Sequence, residues 1–514
     1  MSARSDLTHL SVPSSELAGL SPPCPASPGA PMRRAGILLH ISSLPSPGPV
    51  GDVGPAAHRL VDWLARSGCS TWQVLPLNRV GPGFCPYASP SALASEPALI
   101  SLEWLIRDGL LDPRPLPLPT PKVEVDGVNQ WKRPLLREAA DRLIDRDPAL
   151  VQQYAQENPW VTDWALFAEL HEEFGVGWWS WENAGLRMRD PDTLIEELKR
   201  REAGVMRQIA LQLIFDAQWD ELRRYADRRG VQLIGDVPIF VMGDGCDTWV
   251  NRELFELNDE GRPSVVTGVP PDYFSPTGQL WGNPHYRWSA HAETDFAWWK
   301  LRLSRVLRHV HRARIDHFRG LSAAWTVPIT AETAMEGYWT AGPGNALFDA
   351  LGPLPLIAED LGIITEDVNE LRRHIGAPGM KVLQFAFGSD ATHHFLPHNY
   401  PDPNWVCYTG THDNDTAIGW YHSAPEPTRH RFRVYAGRDG SDVAWDLIRM
   451  AWASIANDAI APMQDVMALG GEARMNVPGE ADGNWTWRMH DPPWWAASRL
   501  RELAWSYGRL HNDE

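Results

Sequence analysis

From Met32 onward, short apolar runs alternate with longer stretches of amphipathic helical period, and most of the runs end in a polar or charged residue at or just past their C-terminal edge. Eight runs read as buried strands: Gly36–His40, Trp72–Leu77, Val231–Asp236, Ala313–Asp316, Pro355–Glu359, Lys381–Phe385, Trp405–Thr409 and Ala461–Val466. The helical period is clear, for example, from Phe296 through Trp298, Leu301 and Leu303 to Leu307, just before the fourth run. Eight strand–helix units in series predict an α/β protein built as a (β/α)8 barrel.

A plain barrel needs about 250 residues, and this chain has 514. The surplus is placed by the spacing of the runs. One insertion, about 80–228, carries helical signals (Trp164–Phe167, Leu194–Phe215) and a Pro-rich connector at Pro113–Pro119; a second, about 243–290, is turn-rich from Gly268 to Tyr286. Long βα-loops of this kind build substrate clefts. Residues 1–32 hold seven Ser and six Pro without periodicity, the composition of a disordered tail, so the catalytic domain is expected at 33–514.

Composition narrows the function classes. With 65 acidic against 47 basic residues the net charge is −18, the wrong sign for a nucleic-acid binder. No run approaches a membrane span, and the N-terminus has no apolar leader. Five cysteines without a CxxC pair predict neither a disulfide framework nor a zinc ribbon, so a reduced, cytoplasmic protein is expected. The 26 Trp outnumber Tyr and Phe combined. Most serve as core filler, but the excess also suits a ligand with flat C–H faces, such as a sugar.

Three carboxylates stand at the C-terminal edges of different runs: Asp316, Glu359 and Asp413. Any one alone could be a helix cap; in a barrel all three edges converge on one mouth. Strand alternation puts Arg314 on the same side as Asp316, where a fixed cation favours an ionised nucleophile. Glu359 follows the apolar Pro355–Ala358, where desolvation favours the protonated general acid. Two carboxyls with separated pKa values are what glycoside chemistry requires.

The blocks Arg314–Gly320, Ile357–Gly362 and Thr409–Thr416, with Gly235–Val241, Gly268–Pro284, Glu472–Gly479 and Gly483–Trp485, resemble the signature blocks of the amylomaltases, 4-α-glucanotransferases of glycoside hydrolase family 77. The resemblance runs from about Arg33 to the C-terminus. It implies a nucleophile at Asp316, an acid/base at Glu359 and a transition-state stabiliser at Asp413. It also implies a donor subsite lined by Arg314, His412 and Asp236, with Tyr87 stacking on the sugar, and an acceptor loop at Tyr273 and Phe274. Gln279, Asn283 and Asn484 are implied as further polar contacts. The substrates it implies are maltooligosaccharides and starch- or glycogen-type α-1,4-glucans. Three departures stand out: Cys85 where the family usually has Ser, Ser95-Glu96 ahead of Pro97 where it has Gly-Asn, and Pro276 in the acceptor loop.

No cofactor and no metal are expected. His393, His394 and His398 read as surface histidines, and no GxGxxG, Walker A, HExxH or GxSxG pattern occurs. A hydrolase resembling α-amylase would share the carboxylates but carry a C-terminal β-sandwich. The roughly 50 residues after the eighth run are too few for one. A non-catalytic glucan binder would lack one of the carboxylates.

Overall fold

A computed structural model describes residues 33–271 and 275–510. The proposed tail, 1–32, and the acceptor-loop residues Tyr273 and Phe274 lie outside the described residues. In chain order the first six strands are β1 (Arg34–Leu38), β2 (Thr71–Gln73), β3 (Gln232–Val237), β4 (Val265–Val269), β5 (Gln279–Pro284) and β6 (Arg312–Ile315). They are followed by β7 (Ala323–Pro328), β8 (Tyr338–Ala341), β9 (Leu356–Ala358), β10 (Gly379–Val382), β11 (Trp405–Tyr408) and β12 (Asp458–Pro462).

Eight of these form one parallel sheet in the order β10-β11-β12-β1-β2-β3-β6-β9. The ladder breaks only between β9 and β10, where the Ala358 N–H donates to the Pro378 carbonyl at 2.9 Å. The result is a nearly closed (β/α)8 barrel. Leu38, Leu75, Ile234, Ile357, Met380, Val382, Val406, Tyr408 and Ile460 fill its interior. After β12 the described chain forms turns and the helix Trp494–Ser506, with no β-sandwich.

Five strands begin earlier in the sequence than the apolar runs indicate, β2 and β6 by one residue, β1 and β10 by two and β12 by three, and in β10 and β12 the end of the run leaves the strand. The sixth is Gly379–Val382, with Leu383–Phe385 turning into a 3-10 helix, and the eighth is Asp458–Pro462, with Met463–Val466 forming a helical turn. The reason for the β12 shift is that Asp458, though charged, is buried in the strand and paired with Arg312 of β6 at 2.8 Å. Pro462, lacking an N–H, then ends the strand.

Between β2 and β3 the chain is helical, ending in the 27-residue helix Glu202–Arg228, which buries residues from Ile209 to Trp219. Its fully buried Asp216 accepts two hydrogen bonds from Arg305 (2.6 and 2.7 Å), one from the Tyr154 hydroxyl (2.8 Å), and lies 3.1 Å from the His309 ring. Burial works against the charge on Asp216, but Arg305 and His309 outweigh it and hold the carboxyl below the usual range. Arg305 and His309 belong to the helix Ala297–His309 that leads into β6, so this cluster fixes the approach to the strand that carries Arg314.

The turn-rich segment after β3 is not helical alone. Its strands β4 and β5 join β7 and β8 in an antiparallel sheet, order β5-β4-β7-β8, built from two βα-loops.

Candidate active site

The arrangement starts from strand register. In the β3–β6 ladder Asp236 lies opposite Arg314, so neighbouring residues of adjacent strands point the same way into the mouth. Arg314 is buried and forks between two carboxylates: one nitrogen donates to both oxygens of Asp236 (2.8 and 2.7 Å), the other to Asp316 at 2.8 Å. Burial would strip the guanidinium of its charge, but Asp236 and Asp316 outweigh that cost and hold it firmly protonated. The Asp236 side chain is 0% exposed, whereas Asp316 keeps 28% of its side chain open. Asp316 is thus both gripped by a cation and accessible.

Glu359 sits one residue past β9. Its carboxyl accepts the backbone N–H of His317 at 2.7 Å and of Leu361 at 2.9 Å. Burial pushes its pKa up to about 8; Asp316 adds to the rise, while Arg314 and the two N–H groups oppose it. At neutral pH Glu359 is therefore mostly protonated.

Asp413 lies in the loop after β11, its side chain 42% exposed. Asn476 donates to its carboxylate at 2.6 Å, Arg474 donates to its main-chain carbonyl at 2.6 Å, and the His412 ring is 3.4 Å away. The loop is braced from below by Asp465, which accepts the Thr409 hydroxyl (2.6 Å) and the Ala417 N–H (2.7 Å) and is raised by burial to about 6.

Tyr87 is engaged on both its ring and its hydroxyl. Its ring lies flat against His412 (centroids 5.0 Å apart, 12° between planes), and its hydroxyl donates to Asp236 at 2.7 Å. Trp485 stands tilted beside both rings. Cys85 is half-buried in the same cluster. Glu96, one of the departures, is buried and accepts from Arg79 (2.7 Å) and from the N–H groups of Val80 (3.1 Å) and Ala98 (2.9 Å), so it braces the base of the Tyr87 loop.

The structure thus gathers Asp316, Arg314, Asp236, Tyr87, His412 and, through the His317 N–H, Glu359 into one hydrogen-bonded and stacked group, with Asp413 against His412. Among the described residues, the remaining three candidates stand apart from that network. Gln279 accepts the Trp281 indole N–H (3.1 Å), Asn283 donates to the Val241 carbonyl (2.8 Å), and Asn484 binds the Val477 N–H (2.8 Å) and the Glu480 carbonyl (2.9 Å). The sequence alone does not single out Asn476, Arg474, Trp485 or Trp281. The exposed Trp281 ring packs edge-on against His317 at 4.8 Å, beside Asp316. Asn476 and Trp485 lie inside matched motifs, but only tertiary structure brings them to Asp413 and Tyr87. Among the described residues no group of three or more His, Cys, Asp or Glu is gathered to hold a metal.

A barrel whose mouth joins an accessible aspartate, a buried arginine and a protonated glutamate has the equipment of a carbohydrate-active barrel enzyme. A family model described as 4-alpha-glucanotransferase matches residues 39–493. The chain is 43% identical over 499 residues to the chloroplastic/amyloplastic 4-alpha-glucanotransferase of Arabidopsis thaliana, covering 93% of this chain and 86% of that one. It is 42% identical to the 4-alpha-glucanotransferase of Synechocystis sp., covering 94% and 99%. The structure of the amylomaltase from Streptococcus agalactiae, in complex with acarbose, superposes with a TM-score of 0.89 at 33% identity, covering 93% of this chain and all of that one. The chain belongs to the 4-alpha-glucanotransferase family, glycoside hydrolase family 77.

Proposed function

We propose that the chain disproportionates α-1,4-glucans: it cleaves a maltooligosaccharide or a starch- or glycogen-type chain and passes the glycosyl segment to the 4-hydroxyl of another glucan. Asp316 attacks the anomeric carbon while Glu359 gives its proton to the departing O4, leaving the segment as an ester on Asp316. The ionised Glu359 then takes the proton of the acceptor 4-hydroxyl, whose oxygen attacks the same carbon and releases Asp316. Two inversions give net retention. Asp413, open to solvent, faces the donor sugar and the charge that develops on it, while the buried Asp236, Arg314 and His412 set the field beneath that subsite, and Tyr87 holds Asp236 and His412 in place. The acarbose bound in the Streptococcus agalactiae relative, an oligosaccharide mimic, supports this substrate class.

The observation that carries the reading is the split between two neighbouring carboxyls: Asp316 held by the Arg314 guanidinium, Glu359 raised to about 8 by burial. The structure has no helix long and apolar enough to cross a membrane among the described residues. Free thiols at Cys69, Cys85, Cys246 and Cys407 support a reducing, cytoplasmic setting. Incubation with maltotriose tests the function: glucose plus a ladder of longer maltooligosaccharides means transfer, and shortening alone means hydrolysis.

A further inference from the structure

The barrel has one unladdered seam, between β9 and β10, and Glu359 stands beside it. On the β6 side the main chain of Glu359 is tied twice: its N–H donates to the Ile315 carbonyl and its own carbonyl accepts from Phe318, both at 3.1 Å. On the β10 side the ladder is replaced by the Ala358–Pro378 hydrogen bond and by a side chain. Asp360, buried, accepts the Met380 N–H at 2.7 Å through one oxygen and faces the Arg372 guanidinium at 3.4 Å through the other.

The carboxylate occupies a place that the backbone keeps open. A Cβ on Gly379 would fall 2.3 Å from an Asp360 oxygen and 2.6 Å from the Trp405 ring. Around it, Arg372 from the helix Glu366–His374 and Lys381 from β10 both lie over Trp405, at 4.2 and 3.8 Å from its ring centre. Burial raises the Asp360 pKa, opposed by the Met380 N–H, Arg372 and Lys381.

We infer that Asp360 is the positioning residue for Glu359: its side chain stands in for the missing ladder bond to Met380 and so fixes the 359–361 main chain. The inference rests on the reading of Glu359 as acid/base. The coupling is local. Residue 360 lies between Glu359 and Leu361, and the Leu361 N–H is one of the two donors on the Glu359 carboxyl. If the Met380 anchor is lost, the main chain of residues 359–361 keeps hydrogen bonds on the β6 side only. The Leu361 hydrogen bond then loosens, and a carboxyl that loses a donor to its ionised form titrates higher. The other groups facing Glu359, namely Asp316, Arg314 and His317, all come from the end of β6 and are untouched by the change.

The experiment is a pH–rate series on the full chain. Asp360→Ala is expected to lower kcat by about 10- to 100-fold with little change in KM, and to move the basic limb of kcat/KM upward by about half a unit. Asp360→Asn keeps an acceptor for the Met380 N–H and should recover most of the kcat and the limb. Gly379→Ala, which crowds the same carboxylate, should reproduce the kcat loss and the limb shift, and it serves if Asp360→Ala does not fold. An unmoved limb in Asp360→Ala and Gly379→Ala, or Asp360→Asn no better than alanine, overturns the inference. The two readings fail separately: a basic limb that persists in Glu359→Gln overturns the acid/base assignment, whereas a Glu359 limb that is present but unmoved by these variants overturns only the role of Asp360.

Discussion

The Glu359 carboxyl accepts the backbone N–H of His317, at 2.7 Å, and His317 is the residue that follows Asp316. His317 takes the left-handed conformation, φ +49°, at which the chain turns off β6 and aims that N–H across to β9. The proposed acid/base and nucleophile are thereby held relative to each other by one peptide unit, with the Arg314 cation beside them.

Removing that cation should unfold the site before it slows it. Arg314→Ala leaves Asp236 buried with the Tyr87 hydroxyl but no cation beside it, so the variant is expected to lose about 3–5 kcal/mol of stability, measured by urea unfolding. A loss under about 1 kcal/mol would mean that Asp236 is not charged in the folded protein.

The raised Glu359 pKa links stability to pH with a definite sign. The folded protein holds that proton up to about pH 8, whereas the unfolded chain releases it near 4.5. Stability therefore falls as pH rises between those values, because the folded state binds more protons there. Glu359→Gln removes the effect. The Tm of the variant relative to the parent should rise from pH 5 to pH 9, and a constant difference across that range would contradict the assigned pKa. In parallel, kcat/KM of the parent should decline above about pH 8.

Asn476 holds the Asp413 carboxylate by a 2.6 Å hydrogen bond. Asn476→Ala should lower kcat by about tenfold, the scale of one hydrogen bond to a charged group, with Tm nearly unchanged because Asp413 is half open to solvent. Unchanged kcat would remove Asp413 from the chemistry or Asn476 from its support.

Among the described cysteines, Cys85 alone is not buried, and burial still raises its thiol pKa. Thiol reagents should label it slowly in the native protein, and saturating maltooligosaccharide should slow the labelling further, read by mass spectrometry of the Cys85 peptide. Labelling indifferent to the sugar would place the thiol away from the donor subsite.

Much of the site is legible in the amino-acid sequence. The carboxylates Asp316, Glu359 and Asp413 stand out because they close apolar runs, and strand alternation puts Arg314 beside Asp316, where the 2.8 Å hydrogen bond lies. Apolarity alone misplaces the last barrel strand, because Asp458 is a charged residue that the Arg312 pair allows inside. The antiparallel sheet leaves no apolar signature for a different reason. Its strands come from two separate loops, and β8, Tyr338–Ala341, is exposed along its whole length and so has no apolar face to read. The contact of Trp281 with His317 exists only once that sheet has formed.

The proposed transfer chemistry stands or falls on a glycosyl ester at Asp316. Mixing Glu359→Gln with a maltosyl fluoride, whose leaving group needs no acid, should trap that ester for mass spectrometry of peptides after acid quench. The expected result is added maltosyl mass on the peptide containing Asp316, discharged when azide, an anionic nucleophile that needs no general base, attacks the anomeric carbon and releases the aspartate as maltosyl azide forms. Fluoride release with no adduct under those conditions, or an adduct on Asp413, would contradict it.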